Sequence, residues 1–117
     1  MRKLVRPYLD DILDTIRGIE DTISGLSFQT YTQVWSVRRS IERGIEIISE
    51  ASRHIPEELR ASQPQVPWKR VIGIGNVLRH DYREVADRVI YDLTRGDLAV
   101  LKAAIIAIEA GLHEPEE

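Results

Sequence analysis

His80 is the side chain of this sequence best suited to moving a proton, because imidazole exchanges protons near neutral pH. Asn76 stands four residues before it and Tyr82 two residues after it. Residues four apart share one face of a helix, so Asn76 and His80 can touch. Tyr82 follows just past the expected helix end, within reach of the same place. A structural role competes with chemistry here. A His near a helix C-terminus can satisfy carbonyls, an Asn can bond back to its own turn, and a Tyr can anchor a loop. Spacing alone leaves both readings open.

Other constellations are weaker. Gly73 and Gly75 lack the third glycine and the preceding strand of a dinucleotide-binding turn. His54, His80 and His113 are too scattered for a local metal motif. With no cysteine there is neither a disulfide framework nor a thiolate site. No metal or other cofactor is expected. The acidic pairs Asp10–Asp11 and Glu57–Glu58 are expected at helix starts, and His54 and His113 near helix ends, where their charges suit the dipole.

The elements that must position Asn76 and His80 are helical. Leu9, Ile12, Ile16, Ile19, Ile23 and Leu26 alternate three- and four-residue spacing, which predicts an amphipathic helix from Pro7 to about Gly25. Ser27 to Thr32 reads as a short connection or early turn. A longer helix follows, with Val34, Ile41, Ile48 and Ile55 in one row and Val37, Gly44 and Ala51 in the next. Large residues beside small ones let a neighbouring helix approach closely. Pro56 ends it, and Glu57 to Arg60 suits one further turn.

The spacing then predicts a helix from Pro67 to about His80 and another over Glu84–Thr94. Gly96 is expected to interrupt the chain and Asp97 to cap a last helix bearing Leu98, Leu101, Ile105, Ile108 and Leu112. Glu114–Glu117 reads as a frayed acidic tail. No segment carries a strand period. The fold class expected is all-α, a bundle of four to five main helices.

A chain of 117 residues, 43% hydrophobic and 30% charged, is ordinary for one soluble globular domain over residues 1–117. A net charge of −3 argues against a generic nucleic-acid binder that relies on many phosphate contacts. Lys69, Arg70, Arg79, Arg83 and Arg88 nevertheless gather around the Asn–His–Tyr motif. No apolar run is long enough to span a bilayer, and the N-terminus lacks a signal-peptide core, so the location expected is cytoplasmic.

The motif, set in an all-helical chain, resembles the active-site signature of the HepT-like ribonuclease toxins of the HEPN superfamily. The segment from Arg43 to Pro56 is similar to the second-helix signature of that family. Val66 to Trp68, then Val71 to Ile74, ending at His80–Tyr82, is similar to the third. The resemblance covers most of the chain. It implies a HEPN-like homodimer in which the motifs face a shared cleft, and a metal-independent endoribonuclease with RNA as substrate. It also implies a minimal nucleotidyltransferase antitoxin as partner, which silences the toxin by adding AMP to Tyr82.

That chemistry is physically reasonable. RNA cleavage without metal needs a group to take the 2′-hydroxyl proton, a role that suits His80 as general acid/base. It also needs a cation for charge building on phosphorus, which a guanidinium supplies with a fork of donors. Asn76 can orient His80 or bind a phosphate oxygen. The family pattern has Arg immediately before the Asn, and here Gly75 occupies that position. Arg79, four residues on, lies on nearly the same side of the helix and leans back toward residue 75, which makes it the candidate replacement cation, the alternative being an Arg79 that is simply solvated. A second reading keeps the dimer but not the catalysis. It is a binding module for a nucleotide, RNA or the nucleotidyltransferase, with ribonuclease function lost along with the Arg.

Overall fold

The apolar residues of the first segment recur at helical spacing because all of them are buried: Leu9, Ile12, Leu13, Ile16, Ile19 and Ile23 form one stripe of α1 (Arg6–Ile23). A computed structural model describes residues 4–81, 83 and 85–114. Pro7 sits in the first turn of α1, where its missing N–H would have no helical partner anyway. Gly25, at φ 74°, takes the left-handed turn that follows the helix.

The remaining long helices are α3 (Trp35–Arg53), α5 (Trp68–His80) and α7 (Leu98–Ala110), joined by the short α2 (Phe28–Gln33), α4 (Glu57–Ala61) and α6 (Asp87–Asp92). The chain is all-α, as its periodicity predicts, and no strand occurs among the described residues. Four long helices carry the bundle. No helix among the described residues is long and apolar enough to cross a membrane.

The layering follows from the residue rows. In α3, Ile41, Ile45, Ile48 and Ala51 are buried. Gly44 lies so close to α1 that a Cβ there would stand 2.8 Å from the Ile19 Cδ1 atom. The small-residue row therefore brings α1 and α3 together, as expected. On its other side α3 packs along α5, while α7 packs on α1. Lys102 of α7 holds Glu20 of α1 at 2.9 Å across that second contact.

Several features depart from the sequence expectations. Ser27–Thr32 is no plain connection: Ser27 caps α2 by accepting from the Thr30 N–H at 3.1 Å, and Tyr31 plunges into the core. Val34, expected in the buried row, precedes α3 and is exposed. Gly96 and Asp97 do not stop and restart the chain. A π-helical turn over Leu93–Asp97 carries it continuously from α6 into α7, and Asp97 is helical with no capping bond from its side chain. The expected Glu84–Thr94 helix begins only at Asp87, and Glu84 itself lies outside the described residues.

Another departure is Glu114. It does not fray. Its carboxylate accepts from the Val5 N–H at 2.9 Å and the Arg6 N–H at 3.1 Å, and so caps the N-terminus of α1 from the other end of the chain. Asp10 and Asp11 lie beyond the first turn of α1, whereas Glu57 and Glu58 do occupy the first turn of α4.

Candidate active site

α5 begins where Pro67 releases the loop and ends at His80, followed by Asp81 in a non-helical conformation. The helix has two unlike faces. Leu78 and Gly75 are buried, while Lys69, Gly73, Asn76 and His80 are exposed. Asn76 and His80 therefore share an open face, as their spacing requires. Tyr82 lies outside the described residues.

The inner face is built around Ser49 of α3, whose hydroxyl donates to the Ile72 carbonyl at 2.6 Å and accepts from the Gly75 N–H at 3.2 Å. A Cβ at residue 75 would overlap both Ser49 Oγ and Ser49 Cβ. Gly75 is thus glycine because of a close approach to another helix, and that helix is α3 of the same chain. The space over Gly75 is filled by Ser49 and does not stand open for Arg79. Sequence reasoning missed Ser49. The available signal was a serine interrupting the apolar face of α3 beside Ile45 and Ile48.

Arg79 reaches toward α3, where its Nη1 lies 3.9 Å from Glu50 Oε1. Glu50 also accepts from Arg53 at 2.9 Å and pairs with His54 Nε2 at 3.1 Å. The hydrogen bond from Arg53, aided by that to His54, holds the Glu50 carboxyl below the usual carboxylate range. His54, the C-cap of α3, stacks on Tyr8 of α1 with ring centroids 4.6 Å apart. Its role is structural, as its place near a helix end suggests. Arg79 is one residue from His80 and belongs to this half-exposed cation cluster.

The glycine two residues earlier behaves differently. A Cβ at Gly73 would meet no atom within 4 Å. Glycine inside a helix costs about 1 kcal/mol relative to alanine, and no packing among the described residues accounts for it here. Gly73 stands on the rim of a groove of about 810 Å³ whose walls include Ile48, Trp68, Ile74, Val77, Val89 and Leu101. Val77, Val89 and Val100, 37%, 49% and 43% exposed, form an apolar lip beside the Asn76–His80 face. Among the described residues no three His, Asp or Glu side chains gather as a metal site would require.

The chain is thus all-α, with an Asn and a His on the open face of one helix and an arginine next to the His. The chain belongs to the HepT-like ribonuclease family: the pattern of "Ribonuclease HepT-like" matches residues 12–108. Among its relatives is "Putative RNase TTE0752" of Caldanaerobacter subterraneus subsp. tengcongensis. It is 31% identical over 103 residues, which cover 88% of this chain and 92% of the relative. "Probable ribonuclease HepT" of Thermococcus cleftensis is 29% identical over 102 residues, covering 87% and 93%. "Putative RNase MJ1380" of Methanocaldococcus jannaschii is 28% identical over 101 residues, covering 86% and 93%. No solved structure matches the chain.

Proposed function

We propose that this chain is a cytoplasmic toxin that cleaves RNA without metal, one domain over residues 1–117 acting as a homodimer with His80 as its acid/base. The observation that carries this reading is the open face of α5, where Asn76 and His80 stand together with Arg79 one residue away. Membership of a ribonuclease family makes RNA the substrate class.

The reaction follows from the groups present. The 2′-oxygen attacks phosphorus while His80 takes its proton. The bond to the 5′-oxygen breaks, and that oxygen takes a proton from an imidazolium, leaving a 2′,3′-cyclic phosphate and a 5′-hydroxyl. Arg79 neutralises charge on the phosphorane once it leaves Glu50, and Asn76 orients His80 or holds a phosphate oxygen. A second copy seated on the apolar lip of Val77, Val89 and Val100 supplies the other wall of the cleft and a second imidazole.

Regulation is assigned to a minimal nucleotidyltransferase antitoxin that adds AMP to Tyr82. Two residues from His80, such a group brings bulk and negative charge to the place where RNA would bind. Co-expression with the nucleotidyltransferase should add the mass of one AMP per chain, and Tyr82→Phe should abolish the addition.

One observation favours a second reading, the non-catalytic binding dimer. The motif Arg position holds Gly75, and Ser49 fills the space above it. One experiment separates the two. Purified protein is incubated with RNA in EDTA beside its His80→Ala variant. Cyclic-phosphate ends that appear with the parent and not with the variant support the ribonuclease. RNA bound but intact in both supports the binding module.

A further inference from the structure

Lys69, Gly73, Asn76 and His80 follow one another at intervals of four, three and four residues, so they form a single row along α5. All four are exposed. The row runs about 16 Å from Lys69 to His80 at the rise of an α-helix. At its Lys69 end the row borders the apolar groove, which Lys69 and Gly73 line.

The cations of α5 are not equivalent. Arg70 is 3.5 Å from Asp97, and Arg79 is 3.9 Å from Glu50. Lys69 makes no ion pair among the described residues, so its ammonium faces solvent from the same row as the motif. Gly73, between Lys69 and Asn76, bares the helix backbone at a position where a Cβ would meet no described atom within 4 Å. A glycine that nothing among the described residues requires marks a place where something else lies close against the helix.

We infer that the row Lys69–Gly73–Asn76–His80 is the track for the RNA strand, with Lys69 holding a phosphate a few nucleotides from the scissile one and Gly73 admitting the strand between them. This rests on the ribonuclease reading above and adds to it a substrate-binding residue remote from the reacting atoms. A strand on this track needs only one extra cation, which suits a protein of net charge −3. The second copy, seated over the groove, would face the strand from the other side of the rim.

The test measures binding of a single-stranded 2′-O-methyl oligoribonucleotide, which cannot be cleaved through its blocked 2′-oxygen, across a salt series. Lys69→Ala is expected to weaken binding about fivefold at roughly 0.1 M salt and to make the salt slope shallower by about 0.7, the signature of one lost single-strand phosphate contact. Lys69→Arg should restore the parent values. Gly73→Leu should weaken binding while leaving the melting temperature unchanged or raised, since leucine favours the helix and its Cβ meets no described atom within 4 Å. Three results overturn the inference. If Lys69→Ala leaves affinity and salt slope unchanged while the parent still cleaves RNA, the track is wrong and the ribonuclease reading stands. If Gly73→Leu dissociates the dimer, the bare backbone serves the second copy. If the parent neither binds nor cleaves RNA, both readings fall together.

Discussion

Gly75 and Gly73 lie two residues apart on one helix and meet opposite surroundings. Gly75 is pressed against Ser49, with its N–H bonded to the serine hydroxyl and no room for a methyl group. Gly73 has nothing within 4 Å of the Cβ it lacks. One glycine is demanded by the fold, and the other is left unexplained by it. The same division runs along α5: an inner face that stitches the helix to α3, and an outer row on which Lys69, Gly73, Asn76 and His80 are exposed. In such a helix, substitutions on one face should be read in stability and on the other in chemistry.

The sharpest way to break this comparison is to enlarge both glycines. Gly75→Leu should destabilise the protein by about 3 kcal/mol, since the side chain must displace Ser49 and break both of its bonds. Urea denaturation measures this, and Ser49→Gly in the same chain should recover part of the loss. Gly73→Leu should be neutral or stabilising by up to about 1 kcal/mol. Equal losses at the two positions would show that the two faces are not distinct. The same geometry means that restoring Arg at residue 75 alone disturbs the helix contact, so Gly75→Arg reports on packing as much as on catalysis.

Smaller effects probe other pairs of like residues. Tyr31 and Tyr91 are both buried aromatics, but the Tyr91 hydroxyl donates to the Leu26 carbonyl at 2.8 Å, whereas the Tyr31 hydroxyl has no partner among the described residues. Burial, reinforced by Glu42 and Asp87, pushes the Tyr31 phenol up. Tyr91→Phe should cost about 1 kcal/mol, and Tyr31→Phe should leave stability unchanged or raise it by up to about 1 kcal/mol, both read in thermal unfolding. Glu114→Ala should cost about 1 kcal/mol by uncapping α1, and the melting temperature should fall accordingly.

The weakest effect concerns pH. The Glu50 carboxyl is lowered, chiefly by the Arg53 hydrogen bond, so its contribution is present above the ordinary carboxylate range and is lost as pH falls through its folded value. Glu42, raised by burial, and Glu109, raised chiefly by its hydrogen bond with Asp10, act in the opposite sense. The stability of Glu50→Gln should therefore fall less steeply on acidification than that of the parent. The difference should be small, because Glu50 is half-exposed.

The long helices were legible because burial leaves a period: Leu9 to Ile23 in α1 and Ile41 to Ile55 around α3 repeat at three and four residues. What escaped was set by contacts rather than periods. α2 depends on one capping serine and one buried tyrosine in a polar stretch. The π-turn hides behind Gly96 and Asp97, which in sequence look like a stop and a cap. Glu114 finds its partners 108 and 109 residues away, and no local pattern announces that.

The site divides in the same way. Asn76 and His80 were legible as one face of α5 because four-residue spacing fixes it. The roles of Gly73 and Gly75 were not, since their difference lies in α3. Ser49, which decides how α5 sits, carries no signature beyond being a hydroxyl among isoleucines.

The division of α5 is tested most directly by measuring RNA cleavage and urea unfolding side by side for His80→Ala. The expected result is a loss of roughly 10²–10⁴-fold in cleavage rate, with an unfolding free energy within about 0.5 kcal/mol of the parent. Cleavage that persists in the variant would contradict the assignment of chemistry to the open face of α5.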